Sequence, residues 1–340
     1  MPEAEQERLG RILTKDSDRI RANKDRYIAE VMKATGWTHG KVELEVAKAK
    51  AICEASYEDY YAFRMYELTP EEQANYVTLG QFNKMRLKYN YNRKNAVELL
   101  DDKAGFNSTF ADLINRKWFV NTGLTYEQCM EEIAGLDAVL VKPLAATQGI
   151  GIQKFQVNVS EEGNREFYDT LMSVGESIVE QYVIQHEAMM EFCPTSVNTV
   201  RITTLNVNGE CKFLYSVFRM GRGNVVDNFH AGGIAASVDV ETGVVMTDAA
   251  DLDANTFAES PMTGKAIKGF QIPNWDAIRE TCRKGFDRVG GVNLIGWDFA
   301  ITPDGVDLIE GNPGASYVVA QIPNVQDRIG LYDQMVKPYL

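Results

Sequence analysis

The chain has 340 residues, 45% of them hydrophobic and 24% charged, with a formal net charge of −13 at pH 7. This balance reads as an ordinary soluble globular protein with room for two or three compact units, and the acidic excess argues against a nucleic-acid or anionic-membrane surface, since both need a basic field. The five cysteines (Cys53, Cys129, Cys193, Cys211, Cys282) show no CxxC or Cys/His metal spacing, which reads as reduced thiols in a cytoplasm, and there is neither a signal-peptide pattern at the N-terminus nor an apolar run long enough to span a membrane.

Residues 1–100 read as helical, rich in Ala, Glu, Lys, Arg and Leu. Val42, Val46, Ala49 and Cys53 recur at helical spacing,. Thr69-Pro70-Glu71-Glu72 carries the chemistry of a helix start: an N-cap hydroxyl, proline in the first turn, and acids near the positive end of the dipole,. Lys84, Arg86, Lys88, Arg93 and Lys94 form a basic run interleaved with Tyr89 and Tyr91. It suits a solvated helix face, or a contact with phosphate or an acidic substrate.

Beyond residue 100 the pattern changes to α+β with hairpins rather than repeated βαβ units. Helices are expected over Phe106–Asn115, Tyr126–Ala134, Glu166–Val174 and Trp275–Val289. Strands are expected at Trp118–Val120, Ala138–Val141, Ile152–Val159, Ser177–Val183, Thr199–Val207, Lys212–Arg219, Ile234–Val240 and Val244–Met246. Lys142 ends a buried strand before a loop, Leu144–Gly151, that holds Thr147, Gln148, Gly149 and Gly151. Such a loop can lay backbone N–H groups on phosphate oxygens, with the lysine supplying positive charge, although neither GxxxxGK[ST] nor GxGxxG is matched; a plain flexible hairpin loop is the alternative. Arg201, Arg219 and Arg222 flank the second-half strands and offer planar forks for phosphate or carboxylate, or ordinary surface ion pairs,. The loop Asp227–Gly233 sets Asn228 and His230 beside two glycines; His230 is either a ligand or a hydrogen-bonded structural residue.

The stretch Leu294–Gly314, LIGWDFAITPDGVDLIEGNPG, reads as a β-hairpin around Pro303-Asp304-Gly305,. Period-two alternation puts Ile295, Trp297, Phe299 and Ile301 on a core face and Asp298 on the other, with Glu310 and Asn312 sharing one face of the return strand,. If a three-residue loop pairs Thr302 with Val306, Asp298 lies opposite Glu310,. Two carboxylates facing each other repel, and a hard cation such as magnesium between them, with the Asn312 oxygen added, removes the repulsion.

A strand-borne Asp followed a dozen residues later by E-x-N resembles the metal-binding end of the ATP-grasp superfamily, and VLVKP before a Gly-rich hairpin loop resembles its phosphate-covering loop. More narrowly, DYYAFRMYELTPEEQANYV, VNTVRITTL, VDNFHAGGIAASVD and GWDFAITPDGVDLIEGNPG resemble the sugar-transfer-associated group, related to α-L-glutamate ligases. The resemblance implies an α+β ATP-grasp fold in which two subdomains, residues 101–183 and 184–340, clamp ATP after a helical N-terminal region, 1–100. It implies magnesium on Asp298, Glu310 and Asn312, phosphates on Lys103 of a DK element and on Lys142 with the loop of Gln148, Gly149 and Gly151, adenine at Glu180 and the Val183 backbone, and ribose at Glu187. Read without the resemblance, Glu187 is a surface acid. Arg219 or Arg222, with Arg201, is placed near the transferred group, and His230 near an amine proton. The implied activity is an ADP-forming, ATP-dependent carboxylate–amine ligase acting through an acyl phosphate on small-molecule acids and amines, an amino acid or a sugar acid among them. A small-molecule kinase and a non-catalytic nucleotide-binding protein are the alternatives. Because the helical start replaces the superfamily's Rossmann-like substrate domain, no substrate residues transfer from it.

Overall fold

A computed structural model of the protein describes residues 21–90, 98–145, 151–223 and 232–340. Of the residues singled out above, Tyr91, Arg93, Lys94, Thr147, Gln148, Gly149, Asn228 and His230 lie outside them. The chain divides into two compact units, residues 1–85 with 324–340, and residues 86–323.

The first unit is helical. Residues 21–35 form a helix, followed by His39–Cys53, Tyr57–Ala62 and Pro70–Ala74, and the C-terminal segment adds Tyr332–Met335. In His39–Cys53 the residues that recur at helical spacing, Val42, Val46, Ala49 and Cys53, are all buried. Thr69 caps the helix Pro70–Ala74 as its sequence dictates: its hydroxyl accepts from the Glu72 amide and the Glu72 carboxylate accepts from the Thr69 amide, at 3.3 and 2.8 Å,. The Asn75 carbonyl accepts from the Tyr332 amide at 2.8 Å, joining the two ends of this unit.

The second unit is built on two wholly antiparallel sheets, which confirms the α+β class. The smaller contains β1 (Trp118–Val120), β2 (Ala138–Pro143), β3 (Gln153–Gln156) and β4 (Ser177–Gln181), in the order β1-β4-β2-β3. Helices Tyr126–Ile133 and Glu161–Ser173 cover it, and Ile133, Val139, Val141, Phe167, Leu171 and Val179 form its core. The larger contains β5 (Thr199–Val207), β6 (Glu210–Met220), β7 (Ile234–Val238), β8 (Ala249–Ala250), β9 (Thr256–Phe257), β10 (Leu294–Thr302) and β11 (Gly305–Asn312), in the order β11-β10-β5-β6-β7-β8-β9. Val244 and Val245, expected in a strand, make only isolated bridges. The expected helix Phe106–Asn115 is instead Lys103–Thr109 followed by a 3₁₀ turn, Ala111–Leu113.

The alternation read from β10 holds. Ile295, Trp297, Phe299 and Ile301 enter one core with Val200, Ile202, Phe218 and Ile278 of the helix Trp275–Gly285. Trp297 is 1% exposed, meets the Phe110 ring edge-on at 5.5 Å, and donates its indole N–H to Thr204 Oγ1 at 2.8 Å,. The hairpin closes differently from the expectation. Thr302 pairs with Gly305 across a two-residue loop, not with Val306. A bulge at Ile309 then supplies the missing residue, so Asp298 still lies opposite Glu310,.

Gly296 on β10 faces Ala315 closely: a Cβ added there would stand 2.5 Å from the Ala315 Cβ. Gly296→Ala should therefore destabilise by about 1–3 kcal/mol through overpacking, and Ala315→Gly in the same chain should recover most of the loss. Urea unfolding of the two single variants and the double variant checks this, and additive losses would show that the two positions do not compete for space.

Candidate active site

The Asp298 carboxylate sits on β10, between β11 and β5, with no exposed surface. It pairs in register with Arg201 on β5 and Glu310 on β11. Arg201 grips it in a fork, with Nε to Oδ1 and Nη2 to Oδ2 both at 2.6 Å, and Arg219 Nη2 reaches Oδ2 at 3.0 Å,. Arg219 comes in diagonally from β6, where it pairs with Thr199 and donates to the Thr199 hydroxyl at 2.7 and 2.9 Å. Burial alone would raise the Asp298 carboxyl, but the two guanidinium groups outweigh it and hold it well below the usual carboxylate range,.

Glu310 is different. Its side chain is about half open to solvent, 53%, yet the packed atoms around its carboxyl and the charge of Asp298 opposite push it above the ordinary value. Arg201 Nη2 lies 3.6 Å from Glu310 Oε1, and the Asn312 carboxamide donates to the same oxygen at 3.2 Å. Among the described residues no group of three or more His, Cys, Asp or Glu side chains is placed to hold a metal ion. Here the third group is a carboxamide. Two opposed carboxylates with a carboxamide beside them are hard oxygen donors of the kind magnesium takes, with Asp298 also accepting from Arg201 and Arg219.

The basic groups come from the smaller sheet. Lys142 ends β2 and forms an ion pair with Glu180 of β4. Lys103 opens the helix Lys103–Thr109, with Asp102 as N-cap, and donates to the Leu144 carbonyl at 3.3 Å, at the start of the glycine-bearing hairpin loop between β2 and β3. Burial and the positive charge of Lys142 push the Lys103 ammonium below its ordinary value, against the opposing charges of Glu310, Glu180 and Asp101,. Gly151 ends the loop at φ +75°, a conformation glycine adopts without strain, and packs 3.2 Å (as an added Cβ) from Pro143,.

Glu180 is 4% exposed, and its oxygens are taken by Lys142, Asn107 at 2.9 Å and Arg116 at 2.8 Å. Arg116 and Lys142 overcome the burial that would raise its carboxyl and hold it below the usual range. The segment after β4 is tied to both sheets: the Tyr182 amide donates to Ala138 at 2.9 Å and the His186 amide to Ile301 at 2.7 Å. Val183 is half-buried in this segment, and Glu187 opens a short helix, Glu187–Met190, and is exposed. Arg222 is turned elsewhere, 3.5 Å from Asp251 and over the Phe257 ring. A cavity of about 340 Å³ lies at the end of β11, lined by Arg86, Asn90, Asp101, Val292 and Asn312–Gly314. Asn90 shapes its floor, donating to the carbonyls of Leu294 and Pro313 and accepting from the amides of Asn293 and Leu294.

A model of the family described as sugar-transfer associated ATP-grasp matches residues 82–334, about three-quarters of the chain. The chain belongs to the sugar-transfer associated ATP-grasp family. Solved structures it resembles include the ATP-grasp ligase PsnB complexed with a phosphomimetic variant of its minimal precursor, Mg and ADP (TM-score 0.42, 11% identity, covering 71% of this chain and 61% of that one). An L-amino acid ligase from Bacillus licheniformis follows at TM-score 0.40 and 12% identity, covering 69% and 48%. D-alanyl-alanine synthetase A from Vibrio cholerae gives 0.41 and 13%, covering 72% and 66%. The chain thus spans about half to two-thirds of the length of these proteins. No curated protein matches it.

In this ATP-grasp chain, Arg201, Arg219, Asp298, Glu310 and Asn312 form one cluster, and Lys103, Lys142 and Glu180 another beside it. Sequence reasoning missed Arg116, Asn107, Asp307 and Asn90. Nothing in their local sequence marks them, because each works on residues 64 or more positions away. Among the described residues no helix is long and apolar enough to cross a membrane.

Asp298 and Glu180 carry depressed carboxyls, so their paired charges stabilise the fold fully above the unfolded-state values near pH 4, and that stabilisation is lost as pH falls below them. Asp298→Asn should lower the urea midpoint at pH 7 and flatten its fall between about pH 5 and about pH 3. An unchanged acid slope would assign the acid sensitivity to other carboxylates.

Proposed function

We propose that this chain is an ATP- and magnesium-dependent, ADP-forming carboxylate–amine ligase. The observation that carries the reading is the opposition of Asp298 and Glu310 on the hairpin, together with Lys103 bonded to Leu144 after β2 and Lys142 near the end of β2 paired with Glu180, in a chain of ATP-grasp membership. Residues 101–183 and 184–340 then serve as the two halves of an ATP clamp. Lys103 and Lys142, with the loop of Gln148, Gly149 and Gly151, hold the phosphates. The Val183 backbone and Glu180 flank the adenine, and Glu187 takes the ribose hydroxyls. Asp298, Glu310 and Asn312 hold magnesium, which supplies charge neutralisation at the β and γ phosphates when bound.

The substrate acid enters the cavity beside Asn312. Arg86 is the cationic group of its lining and Asp101 the anionic one, which suits a small zwitterionic acid such as an amino acid. A carboxylate oxygen attacks the γ phosphorus, the bond to the β-bridging oxygen breaks, and ADP leaves; an amine then attacks the acyl carbon and phosphate departs. Arg201 and Arg219, arrayed across Asp298, put fixed positive charge where negative charge develops,. The amine's proton goes to His230 or to solvent. Arg222, which faces Asp251, contacts substrate only after leaving that partner.

The test is ATP turnover with Mg²⁺ over a panel of carboxylic acids, with and without amines, and with hydroxylamine as trap. A hydroxamate from one acid names the donor and demonstrates the acyl phosphate. ADP release with a phosphorylated alcohol and no hydroxamate would move the protein to the kinases. Asp298→Ala and Glu310→Ala should abolish Mg-dependent turnover, and Lys142→Ala should weaken ATP binding; retained turnover or unchanged nucleotide affinity would remove these residues from the site. Arg86→Ala should raise KM for the acid by about 10–100-fold, the worth of one charge-assisted hydrogen bond, with KM for ATP little changed. Equal effects on both constants would place the acid elsewhere.

A further inference from the structure

Arg116 precedes β1 and is buried, its side chain 2% exposed. One guanidinium nitrogen, Nη1, donates to Leu308 O at 2.7 Å and to Asp307 Oδ2 at 3.2 Å. The other, Nη2, donates to Glu180 Oε1 at 2.8 Å and to Ile309 O at 3.3 Å. Leu308 and Ile309 are the residues at which β11 slips register: Leu308 pairs with Phe299, Glu310 pairs with Asp298, and Ile309 is the extra residue. Without that slip the period-two alternation would set Ile309 opposite Asp298 and turn Glu310 to the face of Trp297. The same guanidinium also holds the carboxylate that engages Lys142.

We infer that Arg116 is a positioning residue for the metal site: its planar fork grips the two carbonyls of the bulge and so aims Glu310 at Asp298, while its bond to Glu180 ties that geometry to the phosphate lysine. The inference rests on the reading of Asp298 and Glu310 as the magnesium carboxylates, and it adds a control that neither carboxylate supplies. Lysine at 116 would keep a positive charge between Glu180 and Asp307 but offers one compact ammonium instead of a fork, so it should leave the fold charged correctly and the bulge loosely held.

The experiment uses the full chain, Mn²⁺ as the metal probe, and a non-hydrolysable ATP analogue, with bound Mn²⁺ read by electron paramagnetic resonance. Arg116→Lys should weaken Mn²⁺ affinity in the presence of the analogue about tenfold and change metal-free nucleotide affinity less than about threefold. Deleting Ile309 removes the extra residue, so that regular alternation itself sets Glu310 opposite Asp298; in the Arg116→Lys chain this deletion should restore Mn²⁺ affinity to within about threefold of the parent. A purely structural role for Arg116 predicts no such rescue, since the deletion restores none of its bonds. The Ile309 deletion in the otherwise unaltered chain, which keeps Arg116 on Glu180 and Asp307, should retain near-parental Mn²⁺ affinity and tests the register argument where Arg116→Lys fails to fold. Unchanged Mn²⁺ affinity in Arg116→Lys, failure of the rescue, or loss of affinity in the single deletion would overturn the inference while leaving the carboxylates in place. Absence of Mn²⁺ binding in the parent chain would instead remove the proposed metal site, and the inference with it.

Discussion

A buried charge must be paired, and the second unit is arranged around that requirement. Asp298 lies fully buried on β10, between β11 and β5 of a seven-stranded sheet, a position where an unpaired carboxylate would cost several kcal/mol,. Arg201 neutralises it from the adjacent strand β5, and Arg219 from β6, one strand further across the sheet. They also set the local potential: the buried Asp298 carboxylate is held in its ionised form, and the half-open Glu310 beside it, raised by its packed surroundings, also feels that charge.

A second paired set, Arg116 with Glu180 and Asp307, joins the smaller sheet to the β10–β11 hairpin. Arg116 also donates to the Leu308 and Ile309 carbonyls at the bulge, on the edge strand β11. Breaking one partner in such a buried set typically costs about 3–5 kcal/mol. Buried charge is a weak source of net stability, and here it supplies geometry: each ion pair fixes a side chain or a backbone irregularity that apolar packing would leave undirected.

The opposition of Asp298 and Glu310 shows how a correct expectation can rest on a wrong path. The sequence reading placed a three-residue loop and no bulge; the structure has a two-residue loop and a bulge at Ile309, and the two differences cancel. The loop closes one residue shorter than the local turn chemistry suggests, and the carbonyls at the bulge accept from Arg116, nearly two hundred residues earlier. Neither is written in the local residues. Glu180 is a parallel case. Its place at the end of β4 was legible, whereas its engagement by Arg116, Asn107 and Lys142 was not.

What the sequence determined by itself was local: the capped helix starts, the alternation that buries Ile295, Trp297, Phe299 and Ile301, the α+β class, and the E-x-N and lysine motifs that mark an ATP-grasp chain. The caps and the alternation follow from backbone stereochemistry and from the period of side-chain burial, which act over a few residues; the motifs are legible because they resemble those of a known family. Only the tertiary structure decided which charges meet. Arg201 finds Asp298 across 97 positions and Arg116 finds Asp307 across 191. A charged side chain carries no local mark of its partner, because that partner is chosen by strand order and register, and these are settled when the whole sheet packs.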